Sequence, residues 1–104
     1  MLSPVDVKNM ALSLEGASEK PHFNRIAFVV NKRIFATLSY EEKTLNLMFT
    51  PQLQMLYCPP NSEVIFPIPN GWGKKGATSI NLCKATKKLV LSALQEAYKL
   101  KKER

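Results

Sequence analysis

Apolar residues near the start of the chain repeat at helical spacing. One face of the predicted helix carries Val7, Met10, Ala11 and Leu14, at i, i+3, i+4 and i+7. Ser3-Pro4 before this run is typical of a helix start, and Gly16 after it is typical of a helix end. The pattern therefore predicts a first helix over about residues 4–14.

A longer helix is predicted at the other end of the chain, from its N-cap Thr86 to about Lys99. Its apolar side carries Val90, Leu91, Leu94, Ala97 and Tyr98. Its opposite side, continued past both ends, carries Lys84, Lys88, Ser92, Gln95, Lys99 and Lys102. This basic stripe is either a solvated face or a surface for an anionic partner. The Lys-rich segment 99–104 is expected to fray.

Short runs of residues that are either apolar or alternately apolar and polar predict five strands. The first three are predicted over Ile26–Val30, Arg33–Leu38 and Thr44–Phe49. Asn31-Lys32 is interpreted as a tight turn between the first two. A short helix is predicted from Thr50-Pro51 to before Pro59. The last two strands flank a segment over about Pro69–Gly76, which is interpreted as a loop longer than a hairpin needs.

The order of these elements, α-β3-α-β2-α, predicts an α+β fold: a five-stranded antiparallel sheet with helices packed on one face. The segment Glu19–Arg25 contains Pro21 and is interpreted as an extended connector. Residues 1–104 are expected to form a single domain. The residues expected to share its core are Leu45, Leu47, Phe66, Ile80, Leu94 and Tyr98.

Charge is distributed unevenly along the chain. The net charge is +7, and residues 63–104 hold nine basic and three acidic side chains, a net +6. Such an asymmetry suits nucleic acid or a membrane surface, although solubility alone explains it equally well. We see no segment that could cross a bilayer and no signal peptide, so a cytoplasmic protein is expected.

Few side chains suggest catalysis or metal binding. Cys58 and Cys83 lack the spacing of a zinc site, and free thiols are favoured over a disulfide between them. His22 is the only histidine and has no recognisable nucleophile or acid beside it in the sequence. We therefore expect no catalytic residue, no metal site and no cofactor.

The segment Gly71–Gly76 contains the only tryptophan of the chain, followed by two lysines. It matches G-x-G-x-x-G formally, but a strand pattern follows it, which argues against a dinucleotide site. Lys74 and Lys75 beside Trp72 suit phosphate contact combined with stacking on a base. Alternatively, Trp72 folds back as a lid on the core and leaves two solvated lysines.

Several short motifs match one known family in the same order. They are Pro21-His22-Phe23 with Arg25, Ala27-Phe28, Ile34–Leu38, Trp72–Gly76 with Thr78, and Ala97-Tyr98. Together they resemble the MmcQ/YjbR family over nearly the whole chain. The most specific part, Trp72–Gly76, includes the family positions Gly73 and Gly76. The chain departs from the common pattern at Asn24, where Gly is frequent, and at Ala77, where an aromatic residue is frequent.

The resemblance implies a fold and a function. The implied fold is α-β3-α-β2-α, similar to type III secretion chaperones and loosely to CyaY-like proteins. The family consists of small, soluble and mostly bacterial proteins described as DNA-binding, with a "double wing" arrangement.

These observations predict a non-enzymatic, monomeric protein that binds DNA or another nucleic acid weakly and largely without sequence preference. The expected contacts are Trp72, Lys74, Lys75, Lys84, Lys87 and Lys88. The first alternative is a protein-binding module, chaperone-like or an adaptor, that uses an exposed sheet edge or face. The second is an enzyme that uses the Pro21–Arg25 segment.

Overall fold

An antiparallel sheet and its helices make up the computed structural model, which describes residues 2–103. In chain order the elements are α1 (Pro4–Leu12), β1 (Ser18–His22), β2 (Arg25–Val30), β3 (Arg33–Ser39), β4 (Thr44–Met48), α2 (Pro51–Tyr57), β5 (Ile65–Pro67), α3 (Gly71–Lys74), β6 (Ala77–Asn81) and α4 (Lys87–Lys102). Strands neighbour one another in the order β1-β2-β3-β4-β6-β5. The α+β class is confirmed, whereas the predicted number of five strands is wrong, because this sheet has six.

The strand that the sequence did not predict is β1, which was interpreted as a connector. It pairs with β2 from Ser18 opposite Val29 to His22 opposite Arg25. Most of its side chains are exposed, so it lacks the apolar alternation that identifies a strand. Pro21 is tolerated because β1 lies at the sheet edge, where a missing backbone N–H breaks no ladder.

The three predicted helix starts are confirmed. The side-chain oxygens of Ser3, Thr50 and Thr86 each accept a hydrogen bond from a backbone N–H inside the first turn. Each bond satisfies a donor that the helix itself cannot pair. The first helix ends at Leu12, two residues before the predicted end at position 14.

Helix α4 continues to Lys102, through part of the segment that was expected to fray. The Asn31 side-chain amide donates a 2.6 Å hydrogen bond to the Lys102 carbonyl. The Lys102 ammonium lies 3.1 Å from a Glu15 carboxylate oxygen and 5.4 Å from the centroid of the Tyr98 ring. These contacts attach the end of α4 to the β2–β3 turn and to the segment after α1. Arg104 lies outside the described residues. No helix within residues 2–103 has both the length and the apolar character that a bilayer crossing requires.

The core lies between the sheet and helices α1 and α4, and α2 packs against it through the half-buried Leu53 and Tyr57. Leu45 pairs with Ile80 across β4 and β6, and both are fully buried. Leu94 of α4 is also fully buried. The prediction for Phe66 is wrong: it is half-buried and lies outside this core. Its neighbour Ile65 pairs with Ile80, so Phe66 points to the other face of the sheet.

One extra residue in β3 changes which side chains face the helices. Phe28 of β2 pairs with Ala36, whereas the next residue pairs with Ile34, so Phe35 forms a bulge. As a result Phe35 and Ala36 both enter the core. Phe35 packs edge-on against Tyr98 of α4, with ring centroids 5.6 Å apart.

A one-turn helix, α3, occupies the segment that was predicted to be a loop. A Cβ atom at Gly73 would lie 1.8 Å from the Ile68 carbonyl oxygen. One at Gly76 would lie 2.2 Å from the Phe49 carbonyl oxygen, and Gly76 has a φ of 112° that disfavours other residues. The two glycines therefore let the α3 backbone pack directly on the chain around it.

Side-chain hydrogen bonds hold α3 at both ends. The Asn70 side-chain oxygen accepts a 2.8 Å hydrogen bond from the Trp72 backbone N–H. The amide of Gln54, on α2, donates to the carbonyls of Gly73 and Ala77, at 2.9 and 3.0 Å. Because Leu53 and Tyr57 of α2 pack against the core, these bonds connect α3 to the body of the domain.

We expect Leu94→Ala to lower the free energy of unfolding by about 2–5 kcal/mol, because it leaves a cavity under α4. The neighbouring exposed residue provides the control, and Gln95→Ala should change stability by less than about 0.5 kcal/mol. Urea denaturation measures both. A loss below about 0.5 kcal/mol for Leu94→Ala would mean that α4 presents a different face to the sheet.

A second prediction follows from how α3 packs on the chain around it, and it compares Gly73 with Gly71 of the same turn. Gly73→Ala should lower the free energy of unfolding by about 1–3 kcal/mol or more, because its methyl group meets a backbone carbonyl that cannot move away freely. A Cβ at Gly71 has nothing within 4 Å. Gly71→Ala should therefore be neutral or stabilise by up to about 1 kcal/mol. Equal effects of the two substitutions in urea denaturation would contradict this packing.

Candidate functional site

A groove of about 550 Å³ opens on the sheet face away from the core. It lies between the turn that joins β1 to β2 on one side and α3 on the other. Its lining consists of His22, Phe23, Asn24, Arg25, Ile34, Thr37, Asn46, Met48, Ile68, Asn70, Trp72 and Ala77. Its volume falls within the range of about 300–1,000 Å³ that is usual for small-ligand sites.

Exposed aromatic rings border this groove. Phe23 is 95% exposed and Trp72 is 65% exposed. The interpretation of Trp72 as a lid on the core is therefore wrong. The His22 ring meets the Phe23 ring edge-on, with centroids 5.0 Å apart. Large apolar side chains grouped at the surface are characteristic of binding sites.

Phe23 also has an unusual backbone conformation. Its φ is 58°, in the left-handed region that bulky residues rarely adopt. Strain of this kind has an energetic cost and tends to be found at functional sites. Here the cost is not offset by burial, because the ring lies almost entirely in water.

Arg25 forms part of the groove wall and connects three strands. Its Nε donates to the Thr37 hydroxyl at 2.9 Å and its Nη1 to the Thr44 hydroxyl at 3.1 Å. Its Nη2 donates to the backbone carbonyls of the same two residues. Glu42 approaches Nη1 at 3.7 Å. Burial lowers the pKa of the Arg25 guanidinium and Glu42 acts in the opposite direction, but the group stays charged because arginine titrates so high.

The groove combines an apolar floor with a few polar groups. Ile34, Met48 and Ile68 supply the apolar surface. Asn46 supplies an amide donor and acceptor, while Asn70, whose oxygen caps α3, supplies its NH2 donor. Among the described residues that line it, none is acidic. This composition suits a flat, uncharged ring system whose edge carries hydrogen-bonding groups.

Two of the predicted phosphate contacts stand beside the groove. Lys74 and Lys75 follow Trp72 at the end of α3, and both are exposed. The Lys75 ammonium lies 5.3 Å from the centroid of the Trp72 ring. That geometry is a cation–π contact, which places positive charge over one face of the exposed indole and leaves the other face for stacking.

The other predicted contacts lie elsewhere. Lys84, Lys87 and Lys88 follow β6, whereas α3 precedes it, so roughly 15 Å of strand separates the two groups. Lys84 is also bonded to Glu63, and this hydrogen bond lowers the pKa of the Glu63 carboxyl. The structure thus brings Trp72, Lys74 and Lys75 together and leaves the remaining three lysines apart from them.

The positions of the family motif converge on the same groove. Pro21 and His22 end β1, Phe23 lies in the β1–β2 turn and Arg25 begins β2, all at one side of the groove. Gly73 and Gly76 seat α3 at the other side. Sequence reasoning missed Asn46, Met48 and Asn70. The first two alternate with core residues along β4 and could have been recognised as its outward face.

Reactive and metal-binding groups are sparse. Both cysteines are free. Burial raises the pKa of the Cys58 thiol while a hydrogen bond with Thr78 opposes the shift, which makes this thiol a poor nucleophile at neutral pH. Within residues 2–103, no three His, Cys, Asp or Glu side chains are grouped so that they could hold a metal ion.

Comparison with known proteins identifies the family. A family model described as YjbR matches residues 12–100. Neither the curated proteins nor the solved structures gave a match. The matched range includes the β1–β2 turn, α3 and most of α4, so it covers both sides of the groove. The chain therefore belongs to the YjbR family, as the motifs around Phe23 and Trp72 predicted.

Proposed function

We propose that the protein binds nucleic acid weakly and largely without sequence preference, through Trp72, Lys74 and Lys75. The observation that carries this proposal is the exposed indole of Trp72, held on a fixed helical turn beside a lysine ammonium. Stacking on an aromatic ring combined with phosphate contacts is how proteins hold single strands and distorted duplexes. Every base has a flat face, so such binding is tolerant of sequence.

The charge distribution supports the same proposal. Lys74 and Lys75 have no acidic partner among the ion pairs of residues 2–103, so their charge is available to phosphate. Lys87 and Lys88 extend the basic surface beyond β6. Three to five phosphate contacts imply a log–log salt slope of about −3 to −4.5 on duplex DNA. We expect micromolar or weaker affinity at physiological salt.

Binding without catalysis is the simplest function for this site. The groove supplies stacking surfaces and amide groups, and the thiol with the raised pKa, Cys58, is not among its lining residues. We further propose that the protein acts as a cytoplasmic monomer. The two free thiols support a reducing compartment.

A protein-binding module is the second candidate. Met55 and Leu56 on α2 are 81% and 82% exposed, which favours it. The sheet edges favour it less. β1 carries Lys20 and Pro21, while β5 has three residues and ends at Pro67, and such features discourage the addition of a strand. Retention on heparin or DNA resins that is lost at moderate salt supports nucleic-acid binding, whereas a tight partner insensitive to salt supports the module.

Replacing both lysines of α3 with alanine should change the salt dependence of DNA binding. Lys74→Ala with Lys75→Ala should make the log–log slope shallower by about two, because two phosphate contacts are lost. The fold should persist, since both side chains are exposed. Lys99→Ala with Lys101→Ala removes the same charge from the far end of α4 and should leave the slope nearly unchanged. If the Lys74/Lys75 double variant binds as well as the parent at every salt concentration, α3 is not the interface.

Trp72→Ala should separate binding from stability. Because the indole is exposed, the free energy of unfolding should fall by about 1 kcal/mol or less, the value of a lost cation–π contact. Binding to a single strand should weaken by about 1–3 kcal/mol through lost stacking. Denaturation and binding titrations measure the two effects. A stability loss of about 3–5 kcal/mol would instead mean that Trp72 covers the core in solution.

A further inference from the structure

We propose that the groove holds one unpaired nucleobase of a bound single strand, stacked on both Phe23 and Trp72. This inference rests on the proposed function and deepens it. Phosphate contacts at Lys74 and Lys75 with stacking on Trp72 require only the surface of α3. The groove adds a second aromatic ring, an apolar surface and the amide group of Asn46 on β4.

The first support is the backbone conformation and the exposure of Phe23. Other residues with positive φ within the described chain are polar or glycine: Gly16, Asn31, Lys32, Lys43, Asn61 and Gly76. Phe23 differs from them because it is aromatic and 95% exposed. Neither its backbone conformation nor its environment favours phenylalanine over a small or polar residue. A ligand that stacks on the ring would account for both features.

The second support is the chemistry of the groove. Ile34, Met48 and Ile68 form an apolar floor that favours a flat ring. Asn46 places an amide donor and acceptor on the same surface, and Asn70, whose side-chain oxygen already caps α3, adds its NH2 donor toward a base edge. The side chain of Arg25 is already committed to Thr37 and Thr44, so it contributes positive charge and not a new fork of hydrogen bonds.

The surroundings of the groove also indicate which form of nucleic acid can enter it. The Lys75 ammonium beside the Trp72 ring provides charge for the phosphate of a base that enters the groove. A base inside a duplex has both faces stacked and its edge paired, so it must leave the helix before it can enter. The groove should therefore favour single strands over duplexes.

The test uses the fluorescence of Trp72, the only tryptophan in the chain. The probes are a short oligodeoxythymidine, a duplex of mixed sequence, and thymidine monophosphate. The main variant is Phe23→Gly, which removes the ring and relieves the backbone. Phe23→Tyr keeps an aromatic face. Tyr40→Ala is the matched control, because Tyr40 is an exposed aromatic residue outside the groove.

The oligonucleotide should change the wild-type fluorescence at lower concentration than either the duplex or the mononucleotide. Phe23→Gly should bind the oligonucleotide about 5- to 150-fold more weakly with an unchanged salt slope, as expected for the loss of one stacking contact. Its denaturation midpoint should match or exceed that of wild type, because glycine adopts a positive φ without strain. Phe23→Tyr and Tyr40→Ala should retain wild-type affinity.

Other outcomes would overturn the inference. If Phe23→Gly binds with wild-type affinity, the groove is not part of the binding site. The proposed function would still stand, provided that the salt slope still depends on Lys74 and Lys75. Equal affinity for duplex and oligonucleotide would exclude an unpaired base. Equal affinity for the mononucleotide and the oligonucleotide would mean that the groove binds a free nucleotide and gains nothing from the rest of a single strand. The absence of salt-dependent binding to every probe would overturn both proposals.

Discussion

The close approach of two glycines to neighbouring carbonyl groups is the constraint on which the site depends. Gly73 packs on the Ile68 carbonyl and Gly76 on the Phe49 carbonyl, at distances where a side chain does not fit. This contact turns a glycine-rich segment, which by composition should be flexible, into a helical turn with a fixed seat. Because the glycines occupy the inner side of that turn, Trp72 is left 65% exposed at the edge of the groove.

The rest of the site follows from how the sheet is covered. The helices that build the core pack on one face of the sheet. Residues of β3, β4 and β6 that point to the other face are left to contact water or to line the groove. The bulge at Phe35 brings two successive β3 residues into the core. β1 is the edge strand of the sheet, and the turn that follows it places Phe23 at the groove, across from α3. The strained turn at Phe23 and the close contacts of Gly73 and Gly76 thus both shape the groove.

Much of the fold could be predicted because it is encoded locally. Ser3, Thr50 and Thr86 mark helix starts through their own capping bonds. β4 alternates as a half-buried strand does, and β2 is a short apolar run. β1 could not be recognised, since an exposed edge strand has no apolar period. The turn at α3 could not be recognised either, because it is held by Phe49 and Gln54, which are far from it in the sequence, and by a backbone contact with Ile68 that no side-chain pattern reveals. The same limit applies to the lysines: sequence proximity grouped Lys74 and Lys75 correctly but could not show that β6 separates them from Lys84.

We propose that nucleic acid binds at the groove edge formed by the β1–β2 turn and α3. The most direct test is a titration of the isotope-labelled protein with a short single strand, followed by amide and indole NMR shifts. We expect the largest shifts at Phe23, at the Trp72 indole and at Lys75, with smaller ones around Lys87. A response confined to α2 near Met55, or no response at concentrations where basic proteins bind DNA, would contradict the claim.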